Sequence, residues 1–194
     1  MHAVRWMTLG AAALVLAGCG SKTETSNTDT KTVIANSDGA TGTMTNDMAM
    51  APAASVGQTF ANAAASSDAF EIATSQLADG QGASAKTKKF AADMIKAHTE
   101  STAKLKAAAG TATPAIVPDA TLTAEQQQVL DSLKGVKSAD FDKAYASAQV
   151  DAHQKTLDAL KANAGNADVP QQLRDFATKL IPTVTAHLNM AKSL

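Results

Sequence analysis

Apolar residues recur at intervals of three and four from Gln58 to the C-terminus, the spacing of one face of an α-helix. Glycine and proline residues separate the apolar stretches, as they commonly do at helix ends. The pattern predicts four long helices and one short helix, over residues 58–79, 84–110, 123–135, 138–165 and 168–194. The short helix is the third of these.

The last long helix has the most regular apolar face of the chain. Its apolar positions alternate at spacings of four and three, as in the a/d seam of packed helices. They are Leu173, Ala177, Leu180, Val184, His187, Ala191 and Leu194. Pro182 interrupts this seam and predicts a kink.

Polar residues at the predicted helix starts indicate where each helix begins. Thr123 and Gln126 have the spacing of a capping box at the short helix. Ser138 is expected to cap the third long helix, and Asp168 with Gln171 is expected to form a second capping box.

Four long helices, each with one apolar stripe, can bury those stripes only against one another. The connection from Ala109 to Ser138 is long enough to run the length of such a bundle. The predicted fold is therefore all-α: a four-helix bundle, ferritin-like, with a long crossover between helices 2 and 3. Residues 58–194 form this domain, which is large enough to be stable without disulfides.

The N-terminal segment has the features of a bacterial lipoprotein signal peptide, which we place at residues 1–18. Arg5 precedes the apolar run Met7–Leu16, and Leu-Ala-Gly then leads into Cys19. A run of about ten residues is too short to span a bilayer, which needs about 20. We expect Cys19 to be lipidated; the alternative is an ordinary signal peptide with a chance cysteine. Gly20 and Ser21 stand where an aspartate often signals inner-membrane retention, so the expected location is the outer membrane, facing the periplasm.

Residues 19–57 are predicted to be the lipidated cysteine and a disordered tether. The segment is rich in Ser, Thr, Asn and Ala and has no aromatic residue, so it has little apolar area to bury. Met44, Met48 and Met50 lie close together in it. Clustered thioethers suit Cu(I), and chance composition of a linker is the other interpretation.

Composition excludes several classes of protein. The formal net charge is −1, which excludes a strongly basic nucleic-acid binder, so no nucleic-acid partner is expected. The single cysteine excludes an intramolecular disulfide, a cysteine zinc ribbon and an iron–sulfur cluster. The expected partner is the membrane, reached through the lipid on Cys19.

Three histidines and one glutamate are the candidate metal ligands. His98, His153 and His187 lie on the second, third and fourth predicted long helices, and Glu71 lies on the first. One ligand per helix is how bundles build internal metal sites, and a divalent transition metal is the candidate cofactor. Neither Glu-x-x-His motif of a di-iron carboxylate site is present, so no enzyme activity is expected.

Counting residues along the helices leaves the arrangement of these four side chains open. The count aligns His98 with His153 and Glu71 with His187, at levels about 9 Å apart. One four-ligand site and two separate polar layers both fit this count. In a third interpretation the residues are buried polar groups that fix helix register, paired with each other or with the following side chains: Asp93, Gln149, Asp151 and Tyr145.

Four sequence blocks resemble the DUF4142 family of bacterial exported proteins, whose members are expected to be ferritin-like bundles. The blocks are 60–72 (FANAAASSDAFEI), 89–99 (KFAADMIKAHT), 140–153 (DFDKAYASAQVDAH) and 176–188 (FATKLIPTVTAHL). The resemblance implies that His98, His153 and His187 are the recurrent histidines of the family and Glu71 its recurrent first-helix acid. Ala97 stands where an aspartate commonly precedes the second-helix histidine. The resemblance implies the fold and no particular reaction.

Two functions follow as hypotheses. In the first, the protein is a lipid-anchored, periplasm-facing helical bundle that binds a divalent metal through its inward histidines. In the second, it is a non-catalytic envelope structural or stress-related interaction module with no metal.

Overall fold

A computed structural model describes residues 54–81 and 83–194, which lie within one compact unit. Every regular element in these two ranges is a helix, so the all-α class predicted from the sequence is confirmed. The helices are α1 (Val56–Gly80), α2 (Ala85–Gly110), α3 (Ala124–Lys134), α4 (Ser138–Ala164) and α5 (Gln171–Ala191). The predictions for residues 1–18, Cys19 and the methionine cluster lie outside the described residues.

Serine or threonine side chains cap three of the described helices at their starts, namely α1, α2 and α3. The predicted capping box of α3 is present: the Thr123 hydroxyl accepts from the Gln126 backbone, and the Gln126 side chain accepts from the Thr123 N–H at 2.8 Å. At α1, Ser55 is the N-cap and accepts from the Gln58 N–H at 3.1 Å. The first helix therefore begins at Val56, slightly before the predicted residue 58.

The capping roles predicted for Ser138 and Asp168 are wrong. Ser138 is the first residue of α4, with a φ of 52°, and its N–H donates to the Gln81 carbonyl at 2.7 Å. The N-cap of α4 is therefore Lys137, whose side chain makes no capping hydrogen bond, because Ser138 lacks the extended backbone of an N-cap residue. At α5 the N-cap is Pro170, so Asp168 lies two residues before the capping position and does not cap the helix. The Gln171 amide donates instead to Asp175 at 2.6 Å.

The predicted apolar seam of α5 faces the core. Leu173, Ala177, Val184, His187 and Ala191 are buried, and Leu180 and Leu194 are partly buried. The helix continues through Pro182. None of the described helices is both long and apolar enough to cross a membrane.

The residue spacing of α1 predicts an inward stripe of Phe60, Ala63, Ser67, Phe70, Thr74 and Leu77. The buried face differs from this stripe. Ala63 is exposed, whereas Asp68, Glu71 and Ser75 are buried. α1 packs against α2, α3 and α4, so its buried face is wide and includes polar positions.

Two apolar clusters form the core. One contains Phe60, Leu105, Leu157 and Leu173, and the other contains Phe90, Met94, Phe141 and Tyr145. Along α2, His98 falls between Met94 and Leu105, and along α4, His153 falls between Tyr145 and Leu157. The histidines thus occupy a polar layer between two apolar clusters.

Candidate metal centre

Helices α2, α4 and α5 bring His98, His153 and His187 together in the interior. The ring centroids are 5.6 Å apart for His98 and His153, 5.9 Å for His98 and His187, and 5.6 Å for His153 and His187. One ring nitrogen from each histidine lies within 4.8 Å of those of the other two. All three residues are buried. We call this group the tri-histidine cluster.

Hydrogen bonds fix the orientation of two of the rings. His98 Nδ1 donates to Asp68 Oδ1 at 2.8 Å, and His153 Nδ1 donates to the Gln149 carbonyl at 2.8 Å. The buried ring nitrogens with no hydrogen-bond partner in the described part of the chain are His98 Nε2, His153 Nε2 and His187 Nδ1. A neutral imidazole whose proton is on one nitrogen has a lone pair on the other, so the bonds at Nδ1 leave Nε2 of His98 and His153 free to bind an ion.

Burial keeps two of the imidazoles neutral. Burial, together with the smaller effect of a charge on His98, lowers the pKa of His153 to about 3 and that of His187 to about 4. Burial also disfavours the charged form of His98, but the hydrogen bond with Asp68 and the Glu71 carboxylate outweigh it, so the pKa of His98 is raised. At neutral pH His153 and His187 therefore have the protonation state of a metal ligand.

Glu71 lies beside the cluster on α1. Its Oε1 is 3.5 Å from His153 Nδ1, its side chain is 1% exposed, and neither carboxyl oxygen has a hydrogen-bond partner among the described residues. Burial raises the pKa of Glu71 to about 7, although a charge on His98 opposes this shift. Glu71 is not one of the three residues whose ligand atoms converge within 4.8 Å. It approaches the outer nitrogen of His153, so it adds negative charge at the edge of the cluster.

The structure brings the three histidines to one level. The separation of about 9 Å between two polar layers, which residue counting left open, is not observed. The residue count assumes that the helices are straight and parallel and that neighbouring helices end at the same level at each connection. Small departures from this geometry add up over three or four helical turns.

Of the partners suggested by the register interpretation, Gln149 is hydrogen-bonded to the cluster, and Asp93 acts on His187 only through its charge. Asp93 forms an exposed ion pair with Lys89 at 2.9 Å, and Asp151 is exposed. Tyr145 shares a 2.7 Å hydrogen bond with Ser75. Gln149 takes part through its backbone carbonyl, while its amide donates to Thr74 at 3.1 Å.

Sequence reasoning missed Asp68. This residue is 5% exposed and receives hydrogen bonds from His98 and from Thr102. Its position three residues before Glu71 places it on the same face of α1, and this spacing was the signal that could have revealed it. The carboxylate partner of His98 thus comes from a neighbouring helix rather than from position 97 of its own helix.

A surface groove of about 370 Å³ lies between α1, α3 and α4, apart from the tri-histidine cluster. Phe60, Phe70 and Val129 line it together with several alanines, and the exposed ion pair of Lys155 and Glu125 borders it. None of the four predicted site residues lines this groove.

The dimensions of the cluster fit a transition-metal ion after a small contraction. Three atoms within 4.8 Å of one another lie on or inside a circle of at most about 2.8 Å radius, and zinc–imidazole bonds are about 2.0–2.1 Å long. Each nitrogen would move by less than about 1 Å to reach bonding distance. Three imidazoles suit zinc, copper, nickel and iron rather than calcium or magnesium.

The described chain is therefore an all-α protein with three buried, converging histidines between two apolar clusters. It belongs to the family described as a domain of unknown function, DUF4142, whose model matches residues 42–194. No curated protein and no solved structure matches the chain.

Proposed function

We propose that this protein binds a divalent transition-metal ion through His98, His153 and His187 in the interior of a lipid-anchored, periplasm-facing helical bundle. The observation that carries the proposal is the convergence of three buried imidazoles, each of which has one buried nitrogen with no hydrogen-bond partner in the described part of the chain. An unpartnered buried polar atom costs about 1–3 kcal/mol. A bound ion would supply the missing partner for all three at once.

Charge balance supports a divalent ion. Two buried carboxylic side chains, Asp68 and Glu71, lie on the face of α1 that borders the cluster. With both ionised, they would offset the two positive charges of the ion. Because the pKa of Glu71 is about 7 before any cation is present, a nearby ion would ionise it at little cost.

The proposed topology is the ferritin-like bundle with a crossover between the second and third long helices. At one end, a Cβ added to Gly57 at the start of α1 would lie 3.0 Å from Ile116, just beyond α2. At the other end, Gln81 after α1 accepts from Ser138 at the start of α4. These two contacts support a connection between α2 and α4 that runs from one end of α1 to the other, as a crossover requires.

Binding rather than catalysis is proposed, because the sequence lacks both Glu-x-x-His motifs through which di-iron bundles hold their metals. The anchor and the outer-membrane location rest on the N-terminal sequence alone. Cys19 follows Leu-Ala-Gly and an apolar run too short to span a bilayer.

The test is a melting curve of metal-stripped protein with and without Zn²⁺, Cu²⁺, Ni²⁺ or Fe²⁺. A bound ion should stabilise the fold by about 2.7 kcal/mol at a hundredfold excess over the dissociation constant. The stabilisation should disappear in His187→Ala and persist in the exposed control Gln154→Ala. If no ion raises the melting temperature of the wild type, or if the rise survives in His187→Ala, the binding proposal is wrong and a structural role for the histidines replaces it.

A further inference from the structure

We infer that Asp68 is the positioning residue of the tri-histidine cluster. It holds His98 in the orientation and tautomer that bind a metal, and it places a negative charge next to Nδ1, the ring nitrogen that does not bind the metal. The inference rests on the proposed function. It assigns a role to a residue that the sequence pattern did not single out.

Asp68 is fixed in place from both of its oxygens. Oδ1 accepts from His98 Nδ1 at 2.8 Å, and Oδ2 lies 3.1 Å from the Thr102 hydroxyl, which shares its one proton between Asp68 and the His98 carbonyl at 2.9 Å. The side chains of Asp68 and His98 are 7% and 6% exposed, so water competes little for these bonds. His98 and Thr102 lie one turn apart on α2, and the carboxylate reaches both from α1. This arrangement leaves the carboxylate little freedom to rotate.

The position of the proton on His98 follows from this contact. A carboxylate can only accept, so the nitrogen that faces it carries the hydrogen. His98 Nδ1 is therefore the protonated nitrogen, and Nε2, which has no partner in the described residues, is available as the ligand atom. Ligating histidines commonly donate their other N–H to a carboxylate or a carbonyl, which sets the tautomer and raises the basicity of the ligand atom.

The two oriented histidines have different acceptors. His153 donates to the neutral carbonyl of Gln149, whereas His98 donates to a buried carboxylate. Asp68 therefore adds charge as well as orientation, and the two contributions can be measured separately. Asp68→Asn keeps an oxygen that can accept from His98 and removes the charge, while Asp68→Ala removes both.

The experiment titrates the metal-stripped protein with Co²⁺, whose visible spectrum reports the ligand geometry, and then displaces it with Zn²⁺ to obtain affinities. Removal of an outer-shell partner typically costs 10–100-fold in affinity, so we expect about a tenfold loss in Asp68→Asn and about a hundredfold loss in Asp68→Ala. The control is Asp151→Asn, an exposed aspartate on α4 near His153, which should bind like the wild type.

The outcomes separate this inference from the proposal on which it rests. If the wild type takes up neither Co²⁺ nor Zn²⁺, the metal-binding function itself is wrong. If the wild type binds and both Asp68 variants match it in affinity and in Co²⁺ spectrum, the positioning role is wrong and metal binding stands. Far-ultraviolet circular dichroism checks that each variant is folded. A variant that is less stable but binds with unchanged affinity also contradicts the positioning role, because the effect of Asp68 is then structural only.

Discussion

His153 and His187 are buried, and burial keeps both imidazoles neutral. An exposed histidine, by contrast, takes up a proton near pH 6.5. The pKa values of the two buried histidines, about 3 and about 4, mean that the unfolded chain binds more protons than the folded chain between those values and 6.5. Stability therefore rises with pH in this window and is lost as the pH falls. Glu71 acts in the opposite direction. Folding raises the pKa of Glu71 from 4.5 to about 7. The stability that protonated Glu71 contributes to the folded chain is therefore lost as the pH rises from 4.5 through 7.

We therefore predict that the metal-free protein becomes less stable as the pH falls from about 6.5 to about 4, because two histidines oppose the single glutamate there. Urea unfolding at several pH values measures this dependence. His187→Gln should show a shallower loss than the wild type, since it removes one of the two depressed groups. Equal slopes in the two proteins between pH 6.5 and 4 would show that His187 does not titrate as its burial requires.

At the residue scale, the sequence predicted the identity of the buried polar residues better than their contacts. His98, His153 and His187 were placed on inward faces and Glu71 on or beside one, and all four are buried. Asp68 was missed, because the side chain that pairs with it comes from another helix. Such pairings depend on the rotation of each helix about its axis, which apolar spacing fixes only coarsely.

At the element scale, the accuracy of the prediction followed the contrast between apolar and polar residues. The face of α5 was predicted well because Leu173, Val184 and other large apolar residues alternate regularly with polar ones. The face of α1 was predicted poorly, because its many alanine and serine residues differ little in hydrophobicity. Ala63 was therefore placed inside although it is exposed, and the buried Asp68 was left out.

Helix starts show the same limit. The capping box of Thr123 and Gln126 is local and formed as predicted. The cap predicted at Ser138 did not form, because Ser138 is the first helical residue, with a φ of 52° instead of the extended backbone of an N-cap. Its N–H donates to the Gln81 carbonyl, far away in sequence, and no local signal contains such a contact.

At the scale of the whole molecule, the lipid anchor is a prediction about Cys19. A signal peptide that ends in Leu-Ala-Gly before cysteine should be cleaved there, with Cys19 acylated as the first mature residue. We predict that cells supplied with a labelled fatty acid incorporate the label into the wild type and not into Cys19→Ser. Incorporation at the wild-type level in Cys19→Ser would show that the label is attached at another residue.

The central claim is that the tri-histidine cluster holds a metal ion, and the most direct measurement is the metal-to-protein ratio of the purified chain. Metal-stripped protein is equilibrated with Zn²⁺ or Cu²⁺, freed of unbound ion by gel filtration and analysed by mass spectrometry for its metal content. We predict about one ion per chain in the wild type and in Gln154→Ala, and close to none in a folded His153→Gln variant, because two imidazoles leave the site one ligand short. A wild type that retains no ion, or a His153→Gln variant that retains as much as the wild type, would contradict the account.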